Sequence, residues 1–307
     1  MTTTYHKRLG LLHNPAVARE IASLDAERDV QRIVHLLAIY EFSWDFKRAL
    51  EVALFYTYGS ASVSRLLDRT GEFEKYGQKR YDDTALLIGH FIESGWDGEV
   101  GRQALARMNQ THAHYAIAND DFLFVLWTFI EFPIRWTDRY GRRRMTAHEQ
   151  RAWFNFWAEI GRRMGLKDIP SSKAEFDAFT RRYEAQHFVY ALPNHRVATA
   201  TVRIMANWLP AFLHPAVRPV VCALMPRHFL DAVGFPDAPG WRRALVSAAL
   251  KLVGAVNRLL PFGHYPHLVR SRSSRTYQDG YRIEDLRPVH LNKHEAAQTV
   301  RQEPTES

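Results

Sequence analysis

Cysteine is nearly absent from this sequence: Cys222 is the only one among 307 residues. A disulfide within the chain, a zinc site built from several cysteines and a cysteine-ligated iron–sulfur cluster all need more than one thiol, so all three are excluded. No Cys-x-x-Cys-His sequence occurs either, which excludes covalent attachment of a c-type haem. Any haem is therefore held without covalent bonds to cysteine.

Long apolar runs are missing as well. The longest candidate, Ile204 to Val217, contains Asn207, His214 and two prolines, and it is shorter than the roughly 18 residues that a membrane span needs. Residues 1–13 are polar and basic, without the apolar segment of a secretory signal. We therefore expect a cytoplasmic protein that is either soluble or bound to a membrane surface.

Acidic residues are outnumbered, with 41 lysines and arginines against 33 aspartates and glutamates and a formal net charge of +8. Such an excess is typical of proteins that bind nucleic acid or anionic membranes, and also of a basic solubilising surface. No zinc-finger, RNP or helix-turn-helix signature accompanies it. Several arginine clusters instead fall where helices are predicted to end, where cations stabilise the last turn. We predict no nucleic-acid partner.

Strand signals are scarce, because strict period-2 alternation between hairpin turns is nearly absent. Helix signals recur along the whole chain. Ser43, Thr146, Ser172 and Asn194 are predicted N-caps, the middle two opening capping boxes, while Gly71 and Gly165 are predicted to end helices. The sequence therefore predicts an all-α protein.

The predicted organisation is a single globular multi-helix domain over residues 25–268. An N-terminal extension, residues 1–24, precedes it. A basic polar tail, residues 269–307, follows it, and the part after Asn292 is expected to be disordered because it is polar and aperiodic.

A first candidate site residue is His112, in the segment from Gly98 to Tyr115. Leu105, Met108, His112 and Tyr115 follow each other at spacings of three, four and three, so they share the buried face of a helix. His114 points outward on the same argument. A neutral imidazole that faces an apolar interior suits a proximal haem ligand. The alternative is a core histidine satisfied by hydrogen bonds.

A second candidate is the segment from Arg80 to Gly95. Its helical face carries Arg80, Thr84, Leu87 and Phe91 at i, i+4, i+7 and i+11. The guanidinium and hydroxyl at one end of this apolar face could bind a propionate or polarise bound dioxygen. The alternative is an ion pair between Arg80 and Asp82 or Asp83, with Thr84 as a capping residue.

A third candidate follows a predicted core helix that begins at Asn119 and is apolar on every side from Phe122 to Ile130. Glu131 and Arg135 come directly after this apolar run, at i and i+4. They form either a structural ion pair or a pair that orients the ligand histidine.

Near the C-terminus, Trp241 to Leu260 is predicted to be an amphipathic helix. Its apolar stripe consists of Leu245, Ala249, Leu252, Val256 and Leu259, with basic residues elsewhere on the helix. Such a stripe usually packs into a core. The alternative is peripheral association with an anionic membrane.

Three segments together resemble the MpaB-type oxygenases of fungi and bacteria, which are related to the latex-clearing rubber oxygenases. The similarity runs roughly from Asp25 to Pro236, and the order and spacing of the segments are more specific than any one of them. The segments are Arg80-Tyr-Asp-Asp-Thr84, Arg107-Met-Asn-Gln-Thr-His112-Ala-His-Tyr115-Ala-Ile-Ala-Asn-Asp-Asp121 and Glu131-Phe-Pro-Ile-Arg135-Trp136.

The resemblance implies a globin-like helical core around a non-covalent haem b, with His112 as the axial iron ligand. It also implies that Arg80 and Thr84 form the distal, catalytic pair, and that Tyr115 completes the His-x-x-Tyr pattern of the MpaB branch. One departure is Asp83, which stands where rubber oxygenases carry a lysine that can occupy the sixth haem position. Ligation by a lysine at this position is therefore not available here.

The function implied by the resemblance is activation of O₂ to oxidise or cleave a hydrophobic substrate, either isoprenoid-like or lipid. A haem-binding sensor or O₂-binding protein is one alternative, since it needs the same pocket without turnover. A di-iron carboxylate oxygenase is another. It requires two Glu-x-x-His motifs, and the chain offers only Glu184-Ala-Gln-His187.

Overall fold

The computed structural model describes residues 8–9, 12–13, 15–259, 269 and 274–291. Its regular structure over these residues is helical except for one short antiparallel pair, Arg8–Leu9 (β1) with Leu12–His13 (β2). The predicted all-α class is confirmed. None of the helices described is both long and apolar enough to cross a membrane.

The helices of the described residues follow one another with short connections. A π-helical turn, Leu37–Glu41, continues α2, and short 3-10 turns lie at Thr57–Gly59, Ala211–Leu213 and Ile283–Asp285. The α-helices are α1 Ala16–Ser23, α2 Val30–Leu36, α3 Ser43–Tyr56, α4 Ala61–Thr70, α5 Glu72–Lys75, α6 Gly77–Ser94, α7 Glu99–Ala113, α8 Asn119–Arg139, α9 Ala147–Arg163, α10 Lys173–His187, α11 Leu192–Ala206, α12 His214–Leu224, α13 Arg227–Val233 and α14 Gly240–Leu259.

Helix α8 lies at the centre of the core, as its apolar sequence predicts. Helices α3, α9 and α10 pack against it. Two indole N–H groups form hydrogen bonds between α8 and its neighbours. Trp153 of α9 donates to the carbonyl of Phe129 on α8 at 3.1 Å, and Trp136 of α8 donates to Asp45 of α3 at 3.1 Å. These bonds satisfy indole donors that would otherwise be buried without a partner.

Most of the predicted helix ends are correct. Thr146 and Glu149 form a complete capping box at α9, and the Ser172 hydroxyl accepts a bond from the backbone N–H of Glu175 at α10. Gly71 and Gly165 have φ of +64° and +80°, a conformation that glycine adopts without a steric penalty.

The predicted N-cap at Asn194 is wrong. Helix α11 already begins at Leu192, because Pro193 in the first turn needs no hydrogen-bond acceptor for its nitrogen. Asn194 is fully buried inside this helix, and its amide donates to the carbonyls of Gly59, Val189 and Ala232. It therefore joins three segments instead of capping one helix.

Residues from both sides of the predicted domain, residues 25–268, pack against its helices. Helix α1 buries Val17 and Ile21 in the core, although it lies in the predicted extension. Residues 274–291 pack onto α6 and α7 and bury Leu286 completely, so this part of the predicted tail belongs to the helical domain. The disorder predicted after Asn292 concerns residues outside the described ranges.

The stripe of α14 does not pack into the core. The opposite face of the helix is buried, through Gly254 and Asn257, whereas Trp241, Leu245 and Leu252 are 61–65% exposed. The core-packing interpretation of the stripe is therefore wrong, because apolar residues line both faces of this helix and the other face contacts the domain.

Candidate functional site

His112 is placed by the close packing of α7 against α6. The turn between the two helices uses Gly95, whose φ is +65°. A Cβ atom at Gly101 would collide with the carbonyl oxygen of Gly95, so glycine is required for this close approach. The last turn of α7 then carries His112 toward α8, where its ring meets the edge of Phe122 at a centroid distance of 5.2 Å.

The His112 side chain is in an apolar environment. Its Nδ1 atom is buried and makes no hydrogen bond to any residue that the structure describes. Burial, helped by the nearby positive charge of Arg80, lowers the pKa of His112 to about 4. The imidazole is therefore neutral at physiological pH, with a lone pair available to a ligand. Among the described residues, the Nδ1 atom therefore lacks the hydrogen bond that the alternative, a satisfied core histidine, would give it.

His114 differs from His112, as the helical spacing predicts. It is exposed, and its Nδ1 contacts the carbonyl of Gln110 on its own helix at 2.7 Å. Of the two histidines, only His112 faces the interior.

Arg80 and Thr84 lie on α6, and both are half-buried. Within the described part of the chain, no carboxylate pairs with Arg80: Asp82 accepts from Gln78 at 3.0 Å, and Asp83 is held by Lys79. The predicted alternative of an Arg80–aspartate pair is therefore wrong. The Thr84 hydroxyl donates to the carbonyl of Arg80 at 3.0 Å, so its hydrogen is already used within the helix.

Asp83 belongs to a buried polar cluster that we name the Lys79 clamp. The Lys79 amine donates to the Asp83 carboxylate at 2.9 Å, to the Tyr277 hydroxyl at 2.7 Å, and to the carbonyls of Asp285 and Arg287 at 3.0 and 2.8 Å. The Tyr277 hydroxyl also donates to Asp83 at 2.6 Å. The clamp ties the segment 274–291 to α6 and leaves the Asp83 carboxylate engaged.

Tyr115 is held by the same C-terminal segment. Its hydroxyl lies 2.9 Å from Nε2 of His290, and Nδ1 of His290 lies 2.8 Å from Glu72. Burial acts to raise the pKa of Glu72, but the hydrogen bonds from the ring and backbone of His290 and from the backbone of Val289 outweigh it and leave that pKa lowered. The Tyr115 hydroxyl is thus fixed through His290 to a buried carboxylate.

Glu131 and Arg135 lie in an ion network between α8 and α10. Glu131 is buried and pairs with both Arg135 and Lys173, the latter at 2.7 Å. The Arg135 guanidinium also lies over the Trp127 ring, 5.2 Å from its centroid. No hydrogen bond joins either residue to His112 within the described ranges. These contacts agree with a structural ion pair, and the role of orienting His112 stays a prediction.

The Glu184-Ala-Gln-His187 motif is occupied by other contacts. Glu184 accepts from the Tyr56 hydroxyl at 2.6 Å, and the ring of His187 stacks on Tyr183 at 4.2 Å. Among the residues described, no three His, Cys, Asp or Glu side chains come together as a group that could hold a metal ion. The carboxylate-rich ligand set of a di-iron site is therefore not assembled there.

A cavity of about 710 Å³ lies on the other side of α6. Its α6 lining includes Tyr81 and Ala85, while Arg80 and Thr84 do not line it. Since each helical residue turns by about 100°, the pair Tyr81 and Ala85 is rotated by about 100° around α6 from the pair Arg80 and Thr84. The cavity wall is mostly apolar and includes Trp136, but His112 is not part of it.

The residues that connect the C-terminal segment to this site were not predicted from the sequence. The Lys79 to Asp83 spacing of four is visible in the sequence and could have indicated a pair on one helix face. No local signal joins Glu72 to His290, because 218 residues separate them.

The family described as "ER-bound oxygenase mpaB/B'/Rubber oxygenase, catalytic domain" matches residues 61–257, which is more than half of the chain. The match contains α6, α7 and α8, and therefore all the candidate site residues from Arg80 to Arg135.

Three fungal proteins show the same relationship. The ER-bound oxygenase mpaB' of Penicillium brevicompactum is 28% identical over 257 residues, which cover 77% of this chain and 61% of that protein. The ER-bound oxygenase mpaB of Penicillium roqueforti (strain FM164) is 29% identical over 215 residues, 64% of this chain and 72% of that protein. The mpaB of Penicillium brevicompactum is 31% identical over 190 residues, 56% of this chain and 48% of that protein.

This chain thus spans about three fifths of the first of these relatives and about half of the third. The match extends over the helices that carry the candidate site, in the order in which the sequence motifs occur. On these grounds the chain belongs to the family of the ER-bound oxygenases mpaB/B' and the rubber oxygenases.

Proposed function

We propose that this protein is a haem b-dependent oxygenase that uses O₂ to oxidise or cleave a hydrophobic, isoprenoid-like or lipid substrate. Membership in a family of oxygenases supports the reaction class. The observation that carries the cofactor assignment is His112, a half-buried, neutral imidazole whose Nδ1 is buried and has no hydrogen-bond partner within the described residues. Such a donor fits an axial haem ligand, since the iron binds the neutral form of the ring.

The residues around His112 would hold the cofactor as follows. His112 would supply the axial nitrogen, and Arg80 would supply a cation for a propionate or for the oxygen side of the site. Haem, when bound, supplies O₂ binding and electron transfer, which no amino-acid side chain provides. Tyr115 is held by His290, so it would fix the end of α7 next to the ligand and keep His112 in its orientation.

Arg80 and Thr84 differ in what they can donate. The Arg80 guanidinium pairs with no carboxylate in the described part of the chain, so its N–H groups are available to stabilise negative charge. The Thr84 hydroxyl gives its hydrogen to the Arg80 carbonyl, and in this rotamer it can only accept. Thr84 would therefore position a water or a protonated group, while Arg80 would provide the positive charge.

The hydrophobic substrate class is supported by the apolar cavity beside α6. A space of about 710 Å³ lined mainly by aliphatic side chains and two tryptophans favours an apolar molecule over a polar one. A pure sensor or O₂-binding protein has no use for such a space, so the cavity favours an enzyme. Peripheral membrane association is part of the same proposal, because the relatives mpaB and mpaB' are both named ER-bound oxygenases.

The test is O₂ consumption by haem-reconstituted protein supplied with a panel of isoprenoid alkenes and unsaturated lipids. Arg80→Gln is expected to lower turnover by roughly a hundredfold, the loss typical of removing one preorganised donor to a developing charge. Arg65→Gln, on the exposed side of α4, is the matched control and should keep full activity. Reversible O₂ or CO binding without consumption of any substrate would instead assign a sensor.

A further inference from the structure

Helix α14 presents an apolar face to solvent along its whole length. Trp241 and Leu252 are both 65% exposed, and Leu245 and Leu259 are 61% and 63% exposed. These four residues recur at spacings of four, seven and seven, so they form one continuous stripe. The opposite face of the same helix is buried against the domain through Gly254 and Asn257. The stripe is therefore a surface feature of a well-packed helix.

Basic side chains border this stripe on both sides. At about 100° per residue, Lys251 and Arg258 lie along one edge and Arg242 lies along the other. The sequence from Gly240 to Leu259 contains no aspartate or glutamate. Arg243 is the exception among the cations, because it points inward and binds the Asp237 carboxylate and the Met225 carbonyl. The stripe thus combines an apolar surface with a positive border, on a helix that carries no acidic residue of its own.

A second exposed apolar patch lies in the neighbouring part of the fold. It lies on the turn before α12 and on α12 itself, and α12 packs directly against α14. Phe212 is 79% exposed, and Leu209, Leu213 and Val220 are also exposed. The last three also line the apolar cavity beside α6, so they form part of its mouth. The exposed patch therefore borders the cavity, and Leu250 of α14 lines the same cavity.

We propose that α14 and the Phe212 patch form a docking surface for an anionic phospholipid membrane. A soluble monomer rarely leaves so much contiguous apolar surface exposed without a function. Apolar residues on one face, cations along its edges and tryptophan at one end are the features by which amphipathic helices bind the boundary between headgroups and acyl chains. The mouth of the cavity would then lie against the bilayer, where a hydrocarbon chain can enter without crossing water.

This inference rests on the peripheral membrane association in the proposed function and assigns it to a particular surface, and it does not depend on His112. A second copy of this chain is the competing occupant of an apolar face. The bordering cations argue against it, because in a symmetric pair the positive edges of two stripes would meet each other, and like charges in contact are unfavourable. An anionic bilayer offers opposite charge along the whole stripe.

The experiment is co-sedimentation of the full chain with vesicles of phosphatidylcholine alone and of phosphatidylcholine mixed with phosphatidylserine. We expect binding to the mixed vesicles that weakens as salt is added. The variant Leu245→Asp/Leu252→Asp should bind at least about tenfold more weakly, because two leucines no longer enter the acyl region. Lys251→Glu/Arg258→Glu should lose binding to the mixed vesicles in particular, by about fivefold for each charge removed.

Val100→Asp is the matched control, because Val100 is also an exposed aliphatic residue but lies at the start of α7. It should bind vesicles as the wild type does. Thermal unfolding checks that each variant folds, which is expected since all five substituted side chains are exposed. Vesicle binding does not require haem or enzymatic turnover. A protein that fails to bind vesicles would therefore leave the haem proposal intact, and a protein without haem would leave the membrane proposal intact.

Two results would overturn the proposal. One is wild-type protein that stays in the supernatant with both kinds of vesicle at low salt. The other is a stable dimer on size-exclusion chromatography that the Leu245→Asp/Leu252→Asp variant dissociates while vesicle binding is absent. The second result would assign the stripe to contact between two copies.

Discussion

Replacing Lys79 with methionine should destabilise the protein and release its C-terminal segment. Asp83 is only 1% exposed, and Lys79 is the cation that faces it, at 2.9 Å. Methionine keeps most of the volume of the lysine stem but removes the charge and the donors. The carboxylate of Asp83, two carbonyl groups of the segment 274–291 and the Tyr277 hydroxyl then lose their shared donor.

The expected loss is large compared with the total stability. Removing one partner of a buried ion pair costs about 3–5 kcal/mol, because it leaves an uncompensated charge in the interior. Tyr277 still donates to Asp83, so we expect the lower half of this range, about 3–4 kcal/mol at pH 8. A domain is stable by about 5–15 kcal/mol in total, so the variant should still fold.

The loss should also depend on pH. Burial already raises the pKa of Asp83 above its ordinary value, even though Tyr277 and Lys79 act in the opposite direction. Without Lys79 this pKa rises further, so the carboxyl group becomes neutral as the pH falls through its folded-state pKa. The part of the penalty that comes from the buried charge shrinks along with it and is absent below the unfolded value of about 3.9, whereas the loss of the donor to the two carbonyl groups does not depend on pH. The variant should therefore approach the wild type in stability as the pH is lowered.

The assay is urea unfolding of wild type, Lys79→Met and Lys79→Met/Asp83→Asn, together with amide hydrogen exchange over residues 274–291. The double variant should recover part of the loss, because asparagine carries no charge. Lys75→Met, an exposed lysine on α5, is the control. If Lys79→Met costs less than about 1 kcal/mol at pH 8, or if the double variant is no better, charge burial does not govern the clamp.

Two further predictions concern α7. Gly101→Ala should destabilise the protein by about 1–3 kcal/mol, because the new methyl group meets the Gly95 carbonyl. Gly240→Ala is the control and should change the stability little, because there is open space around Gly240. Chemical unfolding of both variants measures the difference. In haem-free protein, His112 lowers stability as the pH falls from about 6.5 to about 4, since its folded-state pKa is about 4 and the unfolded chain takes up the proton first. The full loss of stability over this pH range is about 3 kcal/mol, and His112→Phe should abolish it. The measurement is the free energy of unfolding of wild type and His112→Phe as a function of pH. Identical pH profiles for these two proteins would contradict the burial of a neutral imidazole.

The elements best predicted from sequence are those fixed by local chemistry. The capping box at Thr146, the left-handed Gly71 and the inward face of His112 each depend on residues within one or two helical turns. Asn194 shows where local reasoning fails. Its side chain resembles a cap in sequence, but its partners lie in distant segments that only the folded chain brings together.

The same limit applies to the candidate site. The helical period placed Arg80 and Thr84 on one face, yet it could not show that Asp83 is paired with Lys79 or that His290 reaches Tyr115. It also could not decide which face of α14 is buried, since both faces carry apolar residues. Contacts between elements far apart in sequence decide these points, and periodicity contains no information about them.

The central claim is that His112 binds haem iron. The most direct measurement is the visible absorption spectrum of the protein reconstituted with haem, recorded for wild type, His112→Ala and the exposed-histidine control His114→Ala. We predict a Soret band in wild type and in His114→Ala that is lost or strongly altered in His112→Ala. A wild-type protein that stays colourless after reconstitution, or a Soret band unchanged by His112→Ala, would contradict the claim.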